Sequence, residues 1–390
     1  MIAYTYPGQG SQAPGMGAPW RNHPSWELVD EASEACGRDI GRLLLEADIE
    51  ELTETRNAQL ATFVTSMVVF DAVTRTGVTA NAHAGHSLGE YTALTAAGVL
   101  DYADGVRLVA ERGEAMQMAA DERTGTMAAI LGADDRHVED ACDSAEGEVW
   151  VANYNAPGQV VVAGDPDDVE AAGRIARERG AKRVVSLQVG GAFHTPFMQP
   201  ASDRLAKALA ITDFREPDHP VYANVDASPY QGVAEWSDLL ARQLVSPVRW
   251  RHTIHRLADD GFSTLVELGP GGALRGMAKR AAREMTSLSV NAPADIDALL
   301  EAIGGTPHDA RHHEGEMLHA TERLVVSPCG GVFTPVDDCP DGSVIAAGRI
   351  IGHVAGTEVR SPFAGELMGY LALADERVTP SQPIAWLRTV

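Results

Sequence analysis

One stretch near the middle of the chain constrains the fold more than any other. Between Gly125 and Val189 the sequence alternates short apolar runs with helical patterns in the order βαββαβ. Strands are predicted at 126–131, 149–153, 159–163 and 182–189, and helices at 134–145 and 167–179. This order predicts a compact subdomain inserted in a longer chain.

The residues on either side of the insertion also alternate strands and helices. Strand patterns occur at 2–6, 221–225 and 264–268, helical patterns at 200–211, 236–244 and 274–284, and amphipathic segments around 26–46 and 60–77. The predicted fold class is therefore α/β, with a layered core formed by residues 1–123 and 197–292. The inserted unit, residues 124–196, has the element order of a ferredoxin-like fold.

The last quarter of the chain has a different character. Residues 293–322 lose strong periodicity and are predicted to form a linker, with one possible helix. Its histidines, among them His312, His313 and His319, lack the His-Glu-x-x-His spacing, and a Gly-broken linker is a poor cage, so no metal site is predicted. Residues 323–390 are rich in Val, Ile, Gly and Pro in short alternating segments, which indicates an all-β module.

Charge excludes two classes of partner. The chain has 31 Lys plus Arg against 55 Asp plus Glu, a net charge of -24, which repels phosphate backbones and anionic membranes. No apolar run approaches the ~18 to 20 residues that span a bilayer, and the first residues do not resemble a signal peptide. The four cysteines show no disulfide or metal pattern. We expect a cytoplasmic protein that binds neither nucleic acid nor membrane.

A Gly-x-Ser-x-Gly sequence, Gly85 to Gly89, lies where a strand of small residues meets a helical segment at 92–97. In that context the two glycines permit a strained turn that exposes Ser87, and the helix N-terminus leaves N–H groups free for an oxyanion. The alternative interpretation is a Gly/Ser helix cap. It explains Ser87 but leaves the two closely flanking small residues unexplained.

A serine at its ordinary pKa is a weak nucleophile and needs a base within hydrogen-bond reach. Of the 13 histidines, His194 lies in an irregular segment at the exit of the small subdomain, whereas His86 is expected to point away from Ser87. Gln9 lies in a Gly-rich loop after the first strand, where it could orient a main-chain N–H toward an oxyanion. The alternative for that loop is an ordinary strand-to-helix turn.

Seven motifs in order resemble those of malonyl-CoA:acyl-carrier-protein transacylases and the related acyltransferase domains of polyketide synthases. They span residues 1 to about 292: Pro7-Gly8-Gln9-Gly10-Ser11-Gln12, Gly85-His86-Ser87-Leu88-Gly89-Glu90-Tyr91, Arg112-Gly113, 153–159, Ala192-Phe193-His194, Arg242-Gln243-Leu244, and Glu267-Leu268-Gly269-Pro270-Gly271. The resemblance implies a hydrolase-like α/β core that carries a ferredoxin-like subdomain.

The resemblance also implies roles for individual residues. Ser87 is the acyl-accepting nucleophile and His194 its general base. Gln9 and the backbone N–H of Leu88 form the oxyanion hole. Gln243 helps to fix the histidine, which a main-chain carbonyl near that glutamine orients, so that no Asp is needed.

Three further residues concern the acyl group. Arg112, on the helix after the turn, would hold the free carboxylate of malonyl by a bidentate pair that Lys could not mimic. Phe193 fills the space that an α-methyl group needs, which favours malonyl over methylmalonyl. Met116 is placed with the substrate-binding residues.

The implied activity is ping-pong transfer of malonyl from malonyl-CoA, through Ser87, to the phosphopantetheine thiol of an acyl carrier protein, for fatty-acid or polyketide synthesis. No bound cofactor is expected. An acyl hydrolase that clears carrier proteins and a non-catalytic synthase scaffold are the alternatives. Arg112 favours transfer, because a pocket for neutral acyl chains would bury an unpaired guanidinium.

Residues 323–390 lie outside this resemblance and look like a biotinyl/lipoyl-type β-domain. Two half-motifs, 326–332 and 359–367, resemble the repeated turns of that fold, and residues 353–358 occupy the place of the modified lysine. The chain has no lysine after Lys279, so neither biotin nor lipoate can be attached there. Docking to a polyketide or fatty-acid synthase and a passive appendage both remain open.

Overall fold

The computed structural model describes residues 1–303, 322–336, 338–346, 348–361, 364–379 and 382–388. The chain divides into two compact units, Met1–His308 and Asp309–Val390.

The strands of the first unit are β1 (Ile2–Tyr6), β2 (Ala82–Gly85), β3 (Thr126–Leu131), β4 (Val149–Ala156), β5 (Gln159–Gly164), β6 (Arg183–Ser186), β7 (Val221–Tyr222), β8 (Pro229–Tyr230), β9 (Thr264–Leu268) and β10 (Thr286–Val290). Its α-helices are α1 (Glu27–Cys36), α2 (Ile40–Leu45), α3 (Ile49–Thr53), α4 (Thr55–Thr74), α5 (Gly89–Ala96), α6 (Tyr102–Glu122), α7 (Asp135–Ser144), α8 (Pro166–Glu178), α9 (Gln199–Leu209), α10 (Trp236–Gln243), α11 (Trp250–Asp259), α12 (Ala273–Ala281) and α13 (Asp295–Ala302).

The main sheet has the strand order β10-β9-β1-β2-β7-β8, and all neighbouring pairs are parallel except β7 with β8. A parallel sheet is covered by helices on both faces, and strands β1, β2 and β9 are accordingly buried along nearly their whole length. Side chains alternate along β1: Tyr4 and Tyr6 join the larger core, whereas Ala3 packs on the opposite face with Trp250 and Leu265. The predicted α/β class is confirmed.

The inserted stretch contains the six predicted elements in the predicted order. Its four strands form an antiparallel sheet in the order β4-β5-β3-β6. Helices α7 and α8 bury Val138 and Val169 against strand residues that include Ile130 and Val160, which gives this sheet a core of its own. The last strand is shorter than predicted, since it covers only Arg183–Ser186.

Residues 60–77 depart from the sequence-based expectation of an amphipathic segment. Helix α4 is buried along almost its whole length, including the polar residues Thr62, Thr65 and Ser66. Helices α1, α2, α3, α5 and α6 and strand β9 all contact α4, so it has no broad solvent-facing side. A helix enclosed in this way lacks the polar stripe of a surface helix.

The start of the predicted linker belongs to the first unit. Helix α13 lies within residues 293–322 and buries Ile296 and Leu299 in the main core next to β10. The histidines considered above as metal ligands, His312, His313 and His319, lie outside the described residues.

The second unit is all-β in its described residues, as predicted. Its strands are β11 (Glu322–Val326), β12 (Gly331–Pro335), β13 (Val344–Ile345), β14 (Ile350–Val354), β15 (Thr357–Arg360), β16 (Gly365–Tyr370), β17 (Arg377–Val378) and β18 (Pro383–Arg388). They form two four-stranded antiparallel sheets, β11-β18-β16-β13 and β15-β14-β12-β17. Phe333, Ile351 and Leu367 are among the residues of its separate core.

Across the described ranges of both units, we find no helix that combines the length and the apolar character of a bilayer-spanning segment.

Candidate active site

Ser87 occupies a tight turn between strand β2 and helix α5. Its φ angle is 53°, a left-handed conformation that is strained for a residue with a side chain. Gly85 and Gly89 make the turn possible, because a Cβ on Gly85 would collide with the main chain of Gly89, and one on Gly89 with the carbonyl oxygen of Tyr6. The strained turn predicted from Gly-x-Ser-x-Gly is therefore present, and a simple helix cap does not describe it.

A histidine lies within hydrogen-bond distance of the serine. The distance from Ser87 Oγ to His194 Nε2 is 2.7 Å, and His194 Nδ1 lies 2.8 Å from the carbonyl oxygen of Gln243. Since that carbonyl can only accept, Nδ1 carries the proton and donates it. Nε2 is thereby left as an acceptor for the Ser87 hydroxyl, and no carboxylate is needed to orient the ring.

His194 is held neutral by its surroundings. Burial, and after it the nearby positive charge of Arg112, lower its pKa to about 3. At neutral pH the imidazole is therefore uncharged, with Nε2 free of a proton and able to take one from Ser87. His86 is directed elsewhere, as expected, since its Nε2 lies 2.8 Å from Oδ1 of Asn155.

Arg112 extends from α6, the second helix after the turn, and is only 1% exposed. Its Nη2 donates to Ser87 Oγ over 3.1 Å and to Gln243 Oε1 over 2.9 Å, and its Nη1 donates to Gln59 Oε1 over 2.7 Å. These described acceptors are neutral groups. An arginine stays protonated even when buried, so a positive charge faces the serine oxygen and is suited to bind an anionic group placed there.

A cavity of about 170 Å³ opens over the serine. Among the residues that line it are the predicted site residues Gln9, Ser87, Met116, Phe193 and His194. Leu88 immediately precedes α5, and its main-chain N–H has no acceptor in the part of the chain that the structure describes. The loop with Gln9 runs against the turn, since a Cβ on Gly8 would lie 2.5 Å from the His86 carbonyl oxygen.

The cavity is apolar beside the serine. Phe193, which is 5% exposed, and Met116 contribute to its lining together with Met127 and Leu187. Met116 is held from behind, because its sulfur accepts a 3.2 Å hydrogen bond from Gln59 Nε2. The geometry combines a hydroxyl next to a base, a fixed cation and an apolar wall. This combination suits the transfer of a small anionic acyl group to and from the serine hydroxyl.

Residues 3–297 match the sequence profile of a family described as acyl transferase domain. A malonyl CoA-acyl carrier protein transacylase from Bacillus subtilis is 40% identical over 307 residues, which cover 77% of this chain and 97% of that protein. One from Escherichia coli is 42% identical over 307 residues, covering 77% and 99%. The chain belongs to the malonyl-CoA:acyl-carrier-protein transacylase family.

Solved structures of this transacylase family agree with the assignment. An acyl carrier protein S-malonyltransferase from Vibrio cholerae is 40% identical, covers 76% of this chain and 99% of its own, and superposes with a TM-score of 0.74. A malonyl-transacylase solved in complex with its type II polyketide synthase acyl-carrier protein is 38% identical, covers 77% and 99%, and has a TM-score of 0.75. The family match ends at residue 297, before the second unit.

Three polar residues next to the transacylase site were not predicted as site residues. Asn224 Oδ1 accepts a 2.7 Å hydrogen bond from the N–H of Ser87, Glu90 bonds both Asn224 and Gln243, and Gln59 bonds Arg112. Asn224 could have been found, because it follows a strand and the carboxyl ends of parallel strands meet at one edge. Gln59, in the middle of the buried helix α4, carries no comparable signal.

Proposed function

We propose that this chain transfers a malonyl group from malonyl-CoA to the phosphopantetheine thiol of an acyl carrier protein, in fatty-acid or polyketide synthesis. The observation that carries the proposal is the placement of Arg112 and His194 on the same Ser87 oxygen, one donating to it and the other positioned to accept its proton. The printed names of the relatives, malonyl CoA-acyl carrier protein transacylases, agree with this activity.

In the first half-reaction, Ser87 Oγ attacks the thioester carbonyl carbon while Nε2 of His194 takes the hydroxyl proton. The tetrahedral intermediate collapses with cleavage of the carbon–sulfur bond, and the proton passes from His194 to the departing CoA sulfur. In the second half-reaction, the carrier thiol gives its proton to His194 and attacks the malonyl ester. Ser87 regains its proton as the new thioester leaves.

Both tetrahedral intermediates carry negative charge on the former carbonyl oxygen. We assign its stabilisation to the main-chain N–H of Leu88, at the start of α5, and to Gln9 in the loop after β1. The Leu88 N–H supports this assignment, because it has no acceptor among the described residues. In enzymes of this type, loss of one such donor costs ~100- to 1000-fold in rate.

Arg112 distinguishes transfer of malonyl from hydrolysis of neutral acyl groups. We propose that Arg112 binds the free carboxylate of malonyl. The guanidinium would then replace its hydrogen bond to the neutral Ser87 hydroxyl by one to an anion. A neutral acyl chain offers no such partner, and the buried guanidinium would then lack a counter-charge. This argues against the acyl hydrolase, and the intact Ser87–His194 pair argues against a non-catalytic scaffold.

We assign the choice of acyl group to the apolar lining near the serine, with Phe193 and Met116 as its principal members. The Phe193 ring adjoins the base and restricts the space for an α-methyl branch. Discrimination against one methyl group by shape alone is worth ~1 to 3 kcal/mol, so methylmalonyl is expected to load slowly rather than not at all.

The finer assignments within residues 1–292 rest on the resemblance to the transacylase family, and that of residues 323–390 rests on the separate resemblance to biotinyl/lipoyl-type domains. We propose a hydrolase-like core at 1–123 and 197–292, a ferredoxin-like subdomain at 124–196, and a biotinyl/lipoyl-like module at 323–390. In that module the turn between β14 and β15, with Ala355 and Gly356 at positive φ, would take the place of the lysine-bearing turn. With no lysine available for biotin or lipoate, docking on a synthase and a passive appendage are the two roles that remain for the module.

We also propose a cytoplasmic location. The four cysteines, all within the described residues, are unpaired, which suits a reducing compartment.

A donor and acceptor competition tests the function. The protein is mixed with malonyl-, methylmalonyl- or acetyl-CoA, with and without a phosphopantetheinylated carrier protein, and acyl-carrier and free acid are both quantified. We expect malonyl-carrier as the main product, and little free malonate. Free acid as the main product in the presence of carrier would identify a hydrolase. If neither acyl-carrier nor free acid formed, the result would support the non-catalytic scaffold.

A further inference from the structure

A buried carboxylate behind the turn connects the residues of the site. Glu90, on the first turn of α5, is 1% exposed. Its Oε1 accepts a 2.9 Å hydrogen bond from the main-chain N–H of Asn224, and its Oε2 accepts from Nε2 of Gln243. Neither of these partners is a cation, so the carboxylate is used to orient neutral groups.

The two partners of Glu90 each hold a different part of the site. Asn224 accepts from the Ser87 N–H over 2.7 Å and donates from Nδ2 to the Gly85 carbonyl over 2.7 Å, thereby bracing the strained turn. Gln243 donates to the Ser87 carbonyl over 2.8 Å, and its Oε1 accepts from Arg112 over 2.9 Å. The hydrogen bonds of both amide side chains are thus committed.

The carboxylate decides which way the Gln243 amide faces. Both Glu90 oxygens accept in this geometry, as those of an ionised carboxylate do, and Oε1 is occupied by the fixed N–H of Asn224. Burial raises the pKa of Glu90, while the hydrogen bonds from Asn224 and Gln243 and the charge of Arg112 oppose that rise and favour the ionised form. Oε2 must then meet the amino group of Gln243, and this leaves the amide oxygen for the guanidinium of Arg112. With the amide reversed, its NH₂ would face the donors of Arg112, an arrangement without an acceptor.

We propose that Glu90 is a positioning residue for the transacylase reaction: through Gln243 it fixes the Arg112 guanidinium in the direction that receives the malonyl carboxylate. This inference rests on the proposed malonyl transfer and adds a residue to it. Glu90 touches neither the serine hydroxyl nor the imidazole among its described contacts, so its effect is indirect.

The test is Glu90→Gln, assayed as the initial rate of Ser87 acylation by malonyl-CoA and, separately, by acetyl-CoA. The substituted amide has one acceptor for two facing donors, so Gln243 must turn or lose a bond. We expect malonyl loading to fall by up to about 100-fold, as for a substrate-holding group displaced by about 1 Å. Acetyl loading, which does not use Arg112, falls less, and the malonyl-to-acetyl rate ratio drops at least about tenfold.

Glu267→Gln is the matched control. Glu267 is also 1% exposed and also accepts two main-chain N–H bonds, from Leu274 and Arg275 at the start of α12. It lies in strand β9, and its described hydrogen bonds include none of the site residues named above. We expect this variant to lose stability while keeping the wild-type malonyl-to-acetyl ratio. A changed ratio in the control would show that burial of any altered acid disturbs the site, and would overturn the inference.

A double-mutant cycle with Gln243→Met tests the route of the effect. If Glu90 acts through the Gln243 amide, Glu90→Gln lowers the malonyl-to-acetyl ratio in the wild-type background and has no further effect on it once the amide is gone. Equal additional losses in both backgrounds would contradict the proposal, as would an unchanged ratio in the single variant.

Thermal melts accompany each assay. Should Glu90→Gln not fold, Glu90→Asp supplies the same measurement, because it withdraws the carboxylate by one methylene from Gln243, and the same malonyl-specific loss is expected. Failure of the underlying function has a separate signature, since the wild-type protein would then not load malonyl at all. If the wild-type protein loads malonyl and both Glu90 variants keep its malonyl-to-acetyl rate ratio, the positioning role alone is overturned.

Discussion

At the scale of single residues, the proposed mechanism makes the reactivity of Ser87 depend on the protonation state of His194. The base must be neutral, and burial together with Arg112 lowers the pKa of His194 to about 3. Activity that depends on the neutral form is retained above the folded pKa and lost as the pH falls through it. We expect kcat/KM for malonyl-CoA to be nearly flat from about pH 8 to about pH 5, with no inflection near the ordinary histidine pKa of ~6.5.

The measurement is the rate of Ser87 acylation across that pH range, with a melting temperature at each point. Stability is monitored because below about pH 6.5 the unfolded chain binds a proton at this histidine while the folded chain does not. The free energy of unfolding therefore decreases as the pH is lowered. A sigmoidal loss of rate centred near pH 6.5 in protein that is still folded would contradict a base with a lowered pKa.

Arg112→Ala is expected to affect the two acyl donors, malonyl-CoA and acetyl-CoA, differently. Removing the guanidinium removes a partner that malonyl has and acetyl lacks, and truncating one member of a buried charge pair costs ~2 to 5 kcal/mol. We expect malonyl loading to fall about 100-fold or more, with acetyl loading equal or higher, measured as acylation rates with each CoA ester. Equal losses for both donors would mean that Arg112 is structural.

How far the site was predictable differs from residue to residue. Ser87 was predicted from the turn motif, whereas His194 was one candidate among the histidines until the family resemblance assigned it as the base. The structure places Ser87 Oγ 2.7 Å from His194 Nε2. Asn224 and Gln59 were missed because their contacts depend on which helix and strand pack behind the turn. Local patterns identify a reactive side chain, but the groups that orient it are set by tertiary packing.

At the scale of elements, the close packing of α5 against the end of β1 requires a glycine at position 89. Gly89→Ala would drive a Cβ into the Tyr6 carbonyl, so we expect a loss of ~1 to 3 kcal/mol in the free energy of unfolding, measured by urea denaturation. Gly276→Ala is the control, because a Cβ there meets no atom within 4 Å. It lies inside α12, where alanine is favoured by up to ~1 kcal/mol. Equal stability of the two variants would refute this reading of the turn.

Elements with a regular period were predicted well. The βαββαβ series was located from alternation alone because each element there has one apolar face, as shown by Val138 on α7 and Val169 on α8. Helix α4 was predicted as amphipathic and is enclosed instead, because helices distant in sequence pack around it. A burial pattern that arises from several remote neighbours leaves no periodic signal in the segment itself.

At the scale of the whole molecule, the two units are expected to be separable. A chain ending after Ile303 keeps every residue assigned to chemistry and should fold and transfer malonyl to a free carrier protein. A chain ending at Pro293 loses the buried Ile296 and Leu299, each worth ~1.5 to 3 kcal/mol, and should melt at a lower temperature. The two are compared by thermal melts and by transfer rates.

The same comparison addresses the second unit. If removal of residues 304–390 raises the Michaelis constant for the native carrier or synthase without changing turnover, the unit raises local concentration by docking. Loss of turnover in a shortened chain that still melts cooperatively would contradict the assignment of all catalytic chemistry to the first unit.

The central claim is that malonyl passes through an ester on Ser87, and the mass of the intact protein tests it most directly. After incubation with malonyl-CoA, the account predicts a mass increase of one malonyl group, its disappearance when a phosphopantetheinylated carrier protein is added, and the appearance of that mass on the carrier. Ser87→Ala should show no increase. A malonyl adduct that persists in Ser87→Ala, or one that the carrier does not remove from the wild-type protein, would contradict the account.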